Sequence, residues 1–252
     1  MMNLFNLKTL TNKVIISAVA LSFSINASAE CEHTKYGVPA YSDIAICYEG
    51  YAMAYDYKLK AAVWVSYSLD KQIGQGVDRQ DDFRINNDIP AIYATTPDDY
   101  VEPVYDMGHL ANSESVDLTI NANSETFLMS NMTPQLPGHN RAIWKGLESR
   151  ERKWANKYGN VFVIAGAIYE PGYKTIGNGV PVPSQYWKII YRTDKPSAIA
   201  FLIPHKKLST KLLNNYIVSV DTLETVTGYN FLETLPDDIE NSIEQVTFKA
   251  QW

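Results

Sequence analysis

The sequence has 252 residues, of which 46% are apolar and 20% are charged. This composition excludes an intrinsically disordered chain, because it can bury enough apolar surface to offset the conformational entropy lost on folding. The 22 Lys and Arg residues are outnumbered by 28 Asp and Glu residues, which gives a formal charge of −6. A protein that coats nucleic acid through a wholly basic surface is therefore excluded, and any contact with nucleic acid needs a local basic patch.

The first 29 residues have the pattern of a secretory signal peptide. Lys8 and Lys13 precede a short apolar run over residues 14–25, and Ala27-Ser28-Ala29 is typical of a cleavage site. We expect cleavage near Ala29 and a mature single domain over residues 30–252, periplasmic or secreted and not in contact with a membrane. An N-terminal membrane anchor is the alternative, although the apolar run is short for a hydrocarbon core of about 30 Å.

Both cysteines of the chain lie in the mature part. Cys31 and Cys47 are sixteen positions apart, and in an exported protein this favours one disulfide bond. A free thiol pair or a metal site are the alternatives, but two sulfurs without a nearby pair of histidines make a poor zinc site.

Four segments predict β-strands. Residues 61–68 alternate and are rich in β-forming residues, and residues 186–192 fit a neighbouring strand. The runs at 160–169 and 198–203 are almost continuously apolar, as is typical of central strands buried on both faces. Residues 78–105 carry three prolines and many Asp and Asn residues, which indicates a long ordered loop of functional importance.

Helical periodicity is clearest from Asn140 onward. Ile143, Leu147 and Trp154 recur at helical spacing, and Gly159 follows as a stop signal. This pattern predicts one long helix.

Two shorter helices are predicted near the C-terminus. One begins near Asp221, with Glu224 completing a capping box, and the other is capped by Asp237. Strands mixed with a few helices predict an α+β fold, although periodicity gives neither the order nor the direction of the strands.

One of the four histidines lies in a suggestive segment. His109 follows a glycine in Asp106-Met107-Gly108-His109-Leu110, and glycine allows a sharp turn that would expose the ring. A lone histidine is more often structural than catalytic, so this segment alone is weak evidence.

A second pair of residues indicates a hydrated metal ion. Asn140 and Glu148 are eight positions apart, so on a helix they share one side with a rise of about 12 Å. One ion cannot take both as direct ligands, but Glu148 can lean toward the helix N-terminus and bind the ion's water. An amide-oxygen ligand with many waters suits Mg²⁺. The alternative is that Asn140 caps the helix and Glu148 is a solvated partner of Arg152.

Several motifs together resemble the DNA/RNA non-specific endonuclease family, the His-Me-finger or ββα-metal nucleases. The order and spacing of the motifs are specific in combination, and they cover most of the mature chain. The motifs are R-Q-D-D-F-R at 79–84, D-M-G-H-L at 106–110, S-N-M-T-P-Q at 130–135, H-N-R-A-I-W-K-G-L-E at 139–148, V-P-S-Q-Y-W-K at 182–188 and L-P-D-D-I at 235–239.

The resemblance implies a fold, a reaction and a cofactor. The fold is a mixed, mainly antiparallel central sheet with flanking helices and a ββα-metal finger at the active site. The reaction is Mg²⁺-dependent hydrolysis of phosphodiester bonds in DNA and RNA, with Mn²⁺ as the second candidate ion and with 5′-phosphate and 3′-hydroxyl ends. Sequence specificity is not expected, because contacts to the backbone read no bases. We predict no protein partner.

The resemblance also implies the central catalytic roles. His109 matches the general base that deprotonates the attacking water. Asn140 matches the one direct protein ligand of the metal ion. Glu148 matches the carboxylate that orients a metal-bound water.

Further residues match positions around these three. Arg79 matches an arginine that contacts the scissile phosphate, and Arg84 is the weaker candidate for that role. Asn131 matches a site residue beside the base. Arg141 is a candidate for local phosphate binding, which would reconcile an acidic chain with a nucleic-acid substrate.

One residue departs from the family pattern. The family's usual tetrapeptide has Arg where this chain has Met107, and Met cannot form charge-assisted bonds to phosphate. Two alternatives stay open, the first supported by Met107 and the second by the acidic surface. One is a non-catalytic nucleic-acid-binding protein on the same scaffold, and the other is a metal phosphodiesterase that acts on another phosphoester.

Overall fold

The computed structural model describes residues 31–71 and 76–247, which belong to one structural unit that begins at Cys31. The predicted signal peptide, residues 1–29, lies outside the described residues. Within the described ranges, every helix is too short or too polar to cross a bilayer.

A seven-stranded sheet forms the centre of this unit, and every neighbouring pair of its strands is antiparallel. The strands of the described residues are, in chain order, β1 (Ile44–Cys47), β2 (Ala52–Asp56), β3 (Ala61–Asp70), β4 (Asp106–His109), β5 (Met132–Gln135), β6 (Asn160–Ile168), β7 (Thr175–Ile176), β8 (Val180–Pro181), β9 (Gln185–Arg192), β10 (Ser197–Pro204) and β11 (Ile217–Val218). The order in the sheet is β1-β2-β3-β6-β9-β10-β11, whereas β4 pairs with β5 and β7 with β8 in separate ribbons. The predicted α+β fold with a mainly antiparallel sheet is confirmed.

All four predicted strands are present, as β3, β6, β9 and β10. Their apolar runs are explained by burial on both faces. Val161 and Val163 of β6 pack on one face of the sheet, and Phe162 and Ile164 pack on the other. Because side chains alternate along a strand, two buried faces require a run with no polar positions.

Helices cover both faces of the sheet. The α-helices of the described residues are α1 (Ile120–Glu125), α2 (Lys145–Tyr158), α3 (Val220–Thr227) and α4 (Asp237–Glu244). Leu147 and Trp154 of α2 join the core on the face of Val163, whereas Leu223 of α3 and Ile243 of α4 join the core on the opposite face.

The long predicted helix is confirmed, with one irregularity. It begins with a turn of π-helix at His139–Trp144, hereafter the π turn, and continues directly as α2. Gly159 ends α2 with a positive φ of 93°, which glycine adopts readily.

The predicted caps of the last two helices are wrong. The N-cap of α3 is Ser219, whose hydroxyl accepts a hydrogen bond from the main-chain nitrogen of Thr222 at 3.1 Å, and Asp221 is already helical. Val220 is buried in the core, so the helix starts two residues earlier than its acidic residues suggest. Asp237 likewise is the first helical residue of α4 and not its cap.

The predicted disulfide bond joins Cys31 to Cys47. It ties the first described residues to β1, at the edge of the sheet. The loop that it closes spans a sequence separation of 16 residues.

Replacing both cysteines, Cys31→Ser with Cys47→Ser, should lower the free energy of unfolding by about 2–4 kcal/mol, because the open loop gives the unfolded chain more entropy. Guanidinium chloride denaturation measures this difference. Reductant should destabilise the natural chain by a similar amount and leave the double variant unchanged. Equal stability of the two proteins would contradict the prediction.

Candidate active site

Two strands and a helix come together as a ββα unit. β4 and β5 pair in an antiparallel ribbon in which His109 lies opposite Met132, and the π turn and α2 follow. The indole nitrogen of Trp144 donates a hydrogen bond to the main-chain oxygen of His109 at 3.1 Å. This bond holds the start of the helix against the end of β4.

Gly108 has a different role from the one that its sequence predicts. It lies within β4 in pairing distance of β5, so it makes no sharp turn, and the side chain of the following His109 is only 8% exposed. A Cβ atom at position 108 would overlap the side chain of Gln135. The glycine is therefore required by close approach and not by turn geometry.

A pocket of about 320 Å³ opens between β4 and the helix, and we call it the β4–α2 pocket. Its lining residues are Arg79, Met107, His109, Asn112, Glu114, Asn140, Arg141, Lys145 and Glu148. Of the predicted site residues, five line this pocket, whereas Asn131 and Arg84 do not. Asn112 and Glu114 were missed by the sequence analysis, although they lie only a few residues after His109 in a polar stretch.

His109 has the surroundings of a neutral imidazole. The rings of Phe83 and Phe127 contact it edge-on, with centroid distances of 5.9 and 5.0 Å. Burial, together with the nearby Arg79 guanidinium, lowers the pKa of His109 to about 3. Its Nε2 atom is buried and has no hydrogen-bond partner among the described residues, and the residue lines the pocket. The ring is therefore uncharged at neutral pH and able to accept a proton.

Asn131 acts on the main chain behind the pocket. It is fully buried, and its Nδ2 atom donates to the carbonyl oxygens of Ala111 and Thr126 at 2.9 and 2.8 Å. Its Oδ1 atom accepts from the nitrogen of Ala111 at 2.9 Å. These bonds fix the chain two residues after His109.

Arg79 and Arg84, the two candidates for phosphate contact, are placed differently. Arg79 lines the pocket, lies 4.6 Å above the ring of Phe127 and donates to the hydroxyl of Ser113 and to the carboxylate of Asp81, both at 2.6 Å. Arg84 lies outside the pocket and donates to Asp82 and to the main-chain oxygen of Ser124, both at 2.8 Å. The placement favours Arg79.

Asn140 presents a free amide oxygen. Its Nδ2 atom donates to Asp106 at 3.0 Å, and Oδ1 has no hydrogen-bond partner among the described residues. The same carboxylate holds the Arg141 guanidinium through two bonds of 2.9 and 2.6 Å. Asp106 thereby orients both residues, and an amide oxygen that shares the pocket with the carboxylate of Glu148 is part of a donor set that suits a hard cation.

Glu148 is buried, so the alternative of a solvated pair with Arg152 is wrong. The residue is 5% exposed, and Arg152 instead pairs with Glu114 at 2.6 Å. Burial raises the pKa of Glu148, while the Lys188 ammonium and a hydrogen bond from Asn112 oppose this shift.

A buried ion pair lies one helical turn beyond Glu148. The ammonium of Lys188 is 2.7 Å from Oε2 of Glu151, and both side chains are fully buried. Tyr67 and Ser115 donate hydrogen bonds to Oε1 of Glu151 at 3.0 and 2.8 Å. This pair was not predicted from the sequence, although a lysine inside the apolar run of β9 is a usable signal.

Known proteins are similar to this chain over most of its length. The model of the family described as DNA/RNA non-specific endonuclease matches residues 30–238. The chain belongs to this family. The predicted enzyme class is thereby confirmed: these endonucleases are metal-dependent phosphodiester hydrolases with nucleic-acid substrates.

Relatives of this endonuclease cover most of its length. It is 35% identical to a nuclease of Nostoc sp. over 206 residues, which are 77% of this chain and 75% of the relative. It is 28% identical to the mitochondrial endonuclease G of Homo sapiens over 221 residues, which are 81% of this chain and 74% of the relative.

A solved structure of an EndoG/EndoGI complex, which concerns the mechanism of EndoG inhibition, is similar to the fold of this endonuclease. The TM-score is 0.77 at 27% sequence identity, with 81% of this chain and 91% of that chain covered.

Breaking the buried ion pair should destabilise the endonuclease strongly. Lys188→Met leaves the carboxylate of Glu151 buried without its counter-charge, and we expect a loss of about 3–5 kcal/mol in the free energy of unfolding. Adding Glu151→Gln should recover most of this loss, because the neutral amide can still bond Tyr67 and Ser115. Urea denaturation of both variants provides the measurement, and additive losses would speak against the coupling.

Proposed function

We propose that the chain is an exported, Mg²⁺-dependent endonuclease that hydrolyses DNA and RNA without sequence specificity and leaves 5′-phosphate ends. The observation that carries this proposal is the pairing, in one pocket, of a neutral buried imidazole at His109 with a free amide oxygen at Asn140.

His109 supplies the base. The neutral ring accepts a proton from the water that attacks phosphorus, while Phe83 and Phe127 restrict the ring and keep its surroundings apolar. The hydrogen bond from Trp144 to the main chain of His109 holds the base in position relative to the helix. The low pKa keeps the ring uncharged across the neutral pH range.

Cationic side chains bind the phosphate. Arg79 reaches the pocket beside His109, and its contacts with Ser113 and Phe127 limit its motion, so its charge is positioned before substrate arrives. Arg141 and Lys145, at the start of the helix, also line the pocket. Contacts from these cations to phosphate read no bases, which supports the lack of sequence specificity.

Asn140 and Glu148 would hold the metal ion, Asn140 through Oδ1 and Glu148 through an intervening water. When bound there, Mg²⁺ supplies charge stabilisation to the phosphate and to the leaving oxygen. Mn²⁺ suits the same oxygen donors. Asp106 keeps the amide of Asn140 turned so that its oxygen is the free atom.

Export is supported by the N-terminal pattern and by the disulfide bond. Residues 1–29 have the charge, apolar run and cleavage site of a secretory signal. The Cys31–Cys47 bond is of a kind that persists in oxidising compartments. The mature chain is accordingly proposed to act in the periplasm or outside the cell.

The mature chain should nick supercoiled plasmid and degrade RNA with Mg²⁺, and EDTA should abolish both activities. His109→Ala removes the base and should lower the rate about 10²–10⁴-fold. His33→Ala replaces a histidine outside the pocket and should keep the natural rate. Product ends that polynucleotide kinase labels only after phosphatase treatment would support 5′-phosphates. Cleavage at the natural rate by His109→Ala, or binding without cleavage by the natural chain, would contradict the proposal.

Met107→Arg should preserve or raise activity. Met107 lines the pocket and is half-buried against the small apolar cluster of Met129 and Met132, so an arginine there could extend toward the phosphate. The measurement is kcat/KM on plasmid DNA, with Met107→Leu as the uncharged control. A large loss in Met107→Arg alone would mean that the pocket is built around methionine.

A further inference from the structure

Three acidic side chains converge on the side of the sheet opposite to the β4–α2 pocket. Asp221 and Glu224 lie three residues apart on one face of α3, and Glu244 is the last residue of α4. One carboxylate oxygen from each lies within 4.8 Å of the other two. We call this group the α3–α4 acidic cluster. It is separate from the catalytic residues, because α2 packs on the other face of the sheet.

Glu244 is the unusual member of the cluster. The residue is only 6% exposed, and its Oε1 atom is buried with no hydrogen-bond partner among the described residues. It also lies at the C-terminal end of a helix, where the helix dipole disfavours negative charge. A buried carboxylate in such a position needs a compensating charge or a hydrogen-bond donor.

The described residues supply no such compensation. None of their ion pairs includes Asp221, Glu224 or Glu244. Burial, followed by the carboxylates of Glu224, Glu240 and Asp221, raises the pKa of Glu244 to about 8. Among the described residues, the charged groups that shift this pKa are therefore all of the same sign as Glu244.

Glu224 is already fixed in place. Its Oε1 atom accepts a hydrogen bond from the main-chain nitrogen of Phe231 at 2.9 Å, in the segment that follows α3. This bond restricts the side chain before any ligand binds, which reduces the entropy that binding costs.

The donor set of the cluster suits a large hard cation. Its three carboxylate oxygens all lie within 4.8 Å of one another, so one ion can contact all three. Mg²⁺ is usually held by one or two carboxylates and keeps several waters, whereas Ca²⁺ accepts more protein oxygens in a flexible geometry. Three carboxylates from the protein therefore favour Ca²⁺.

We propose that Asp221, Glu224 and Glu244 form a second cation site, which binds Ca²⁺ and links α3 to α4. The role of the ion is structural, because the cluster lies on the other side of the sheet from the base and the phosphate-binding residues. The inference does not depend on the proposed nuclease mechanism.

Thermal unfolding of the full mature chain tests this site. An Asn140→Ala background removes the proposed catalytic ligand, so that any effect of added ion reports the second site. After treatment with EDTA and its removal, about 10 mM CaCl₂ should raise Tm by about 3–5 °C if the Kd is near 1 mM, and MgCl₂ should raise it less. Isothermal titration calorimetry should give one Ca²⁺ per chain.

Matched variants assign the effect to the cluster. Glu244→Gln keeps the shape of the side chain and should abolish the Ca²⁺-dependent rise in Tm, and Asp221→Asn should reduce it. Asp238→Asn makes the same change of charge at an exposed position of α4 and should leave the rise intact. If Glu244→Gln does not fold, Asp221→Asn decides.

Two results would overturn the site. The first is no Ca²⁺-dependent rise in the parent, with Glu244→Gln more stable than the parent, which would mean that a protonated Glu244 shares its proton with the other carboxylates. The second is an equal Ca²⁺-dependent rise in the parent, in Glu244→Gln and in Asp221→Asn.

Discussion

The active site depends on the contacts that fasten the first helical turns to the β4–β5 ribbon. The indole of Trp144 bonds the main chain of His109, and Asp106 at the start of β4 holds Asn140 and Arg141 of the π turn. The proton acceptor lies on the strand and the amide oxygen lies on the helix, so neither element alone carries a site. Their relative position follows from these cross-element bonds, and this explains why a ribbon of two short strands is retained outside the main sheet.

Local electrostatics reconcile an acidic chain with a polyanionic substrate. The cations of the pocket are held by their own hydrogen bonds, as in the contact between Arg79 and Ser113. Lys188 and Glu151 form a fully buried ion pair near Glu148. The lysine lowers the pKa of Glu148 and the glutamate raises it, so the two charges act in opposite directions. The charges that a substrate meets in the pocket are therefore set by the local side chains and their partners. The formal charge of −6 is a sum over the whole chain and does not describe the pocket.

The parts of the structure that could be predicted from the sequence are those with a local apolar periodicity or a family motif. Because both faces of the sheet are covered, β6 and β10 are continuous apolar runs, and such runs are recognisable as buried strands. The apolar spacing from Ile143 onward likewise indicates the helix. The pairing of β4 with β5 joins segments that are far apart in sequence, and nothing local in either segment specifies the partner. The Lys188–Glu151 pair and the acidic cluster around Glu244 likewise form only in the folded chain, so local sequence does not reveal them. The cap of α3 was misplaced for another reason: the burial of Val220, and not the position of the acidic residues, decides where that helix starts.

The π turn has a consequence for the relative direction of the two oxygen donors. In a regular helix each residue turns by about 100°, so the eight residues from Asn140 to Glu148 would leave the two side chains about 80° apart around the helix axis. A π turn holds an additional residue relative to a regular helical turn, so each of its residues turns by less. The winding between Asn140 and Glu148 is therefore reduced, which brings both side chains closer to one line along the helix. A substitution that restored regular winding in this turn would move the two donors apart without replacing either of them.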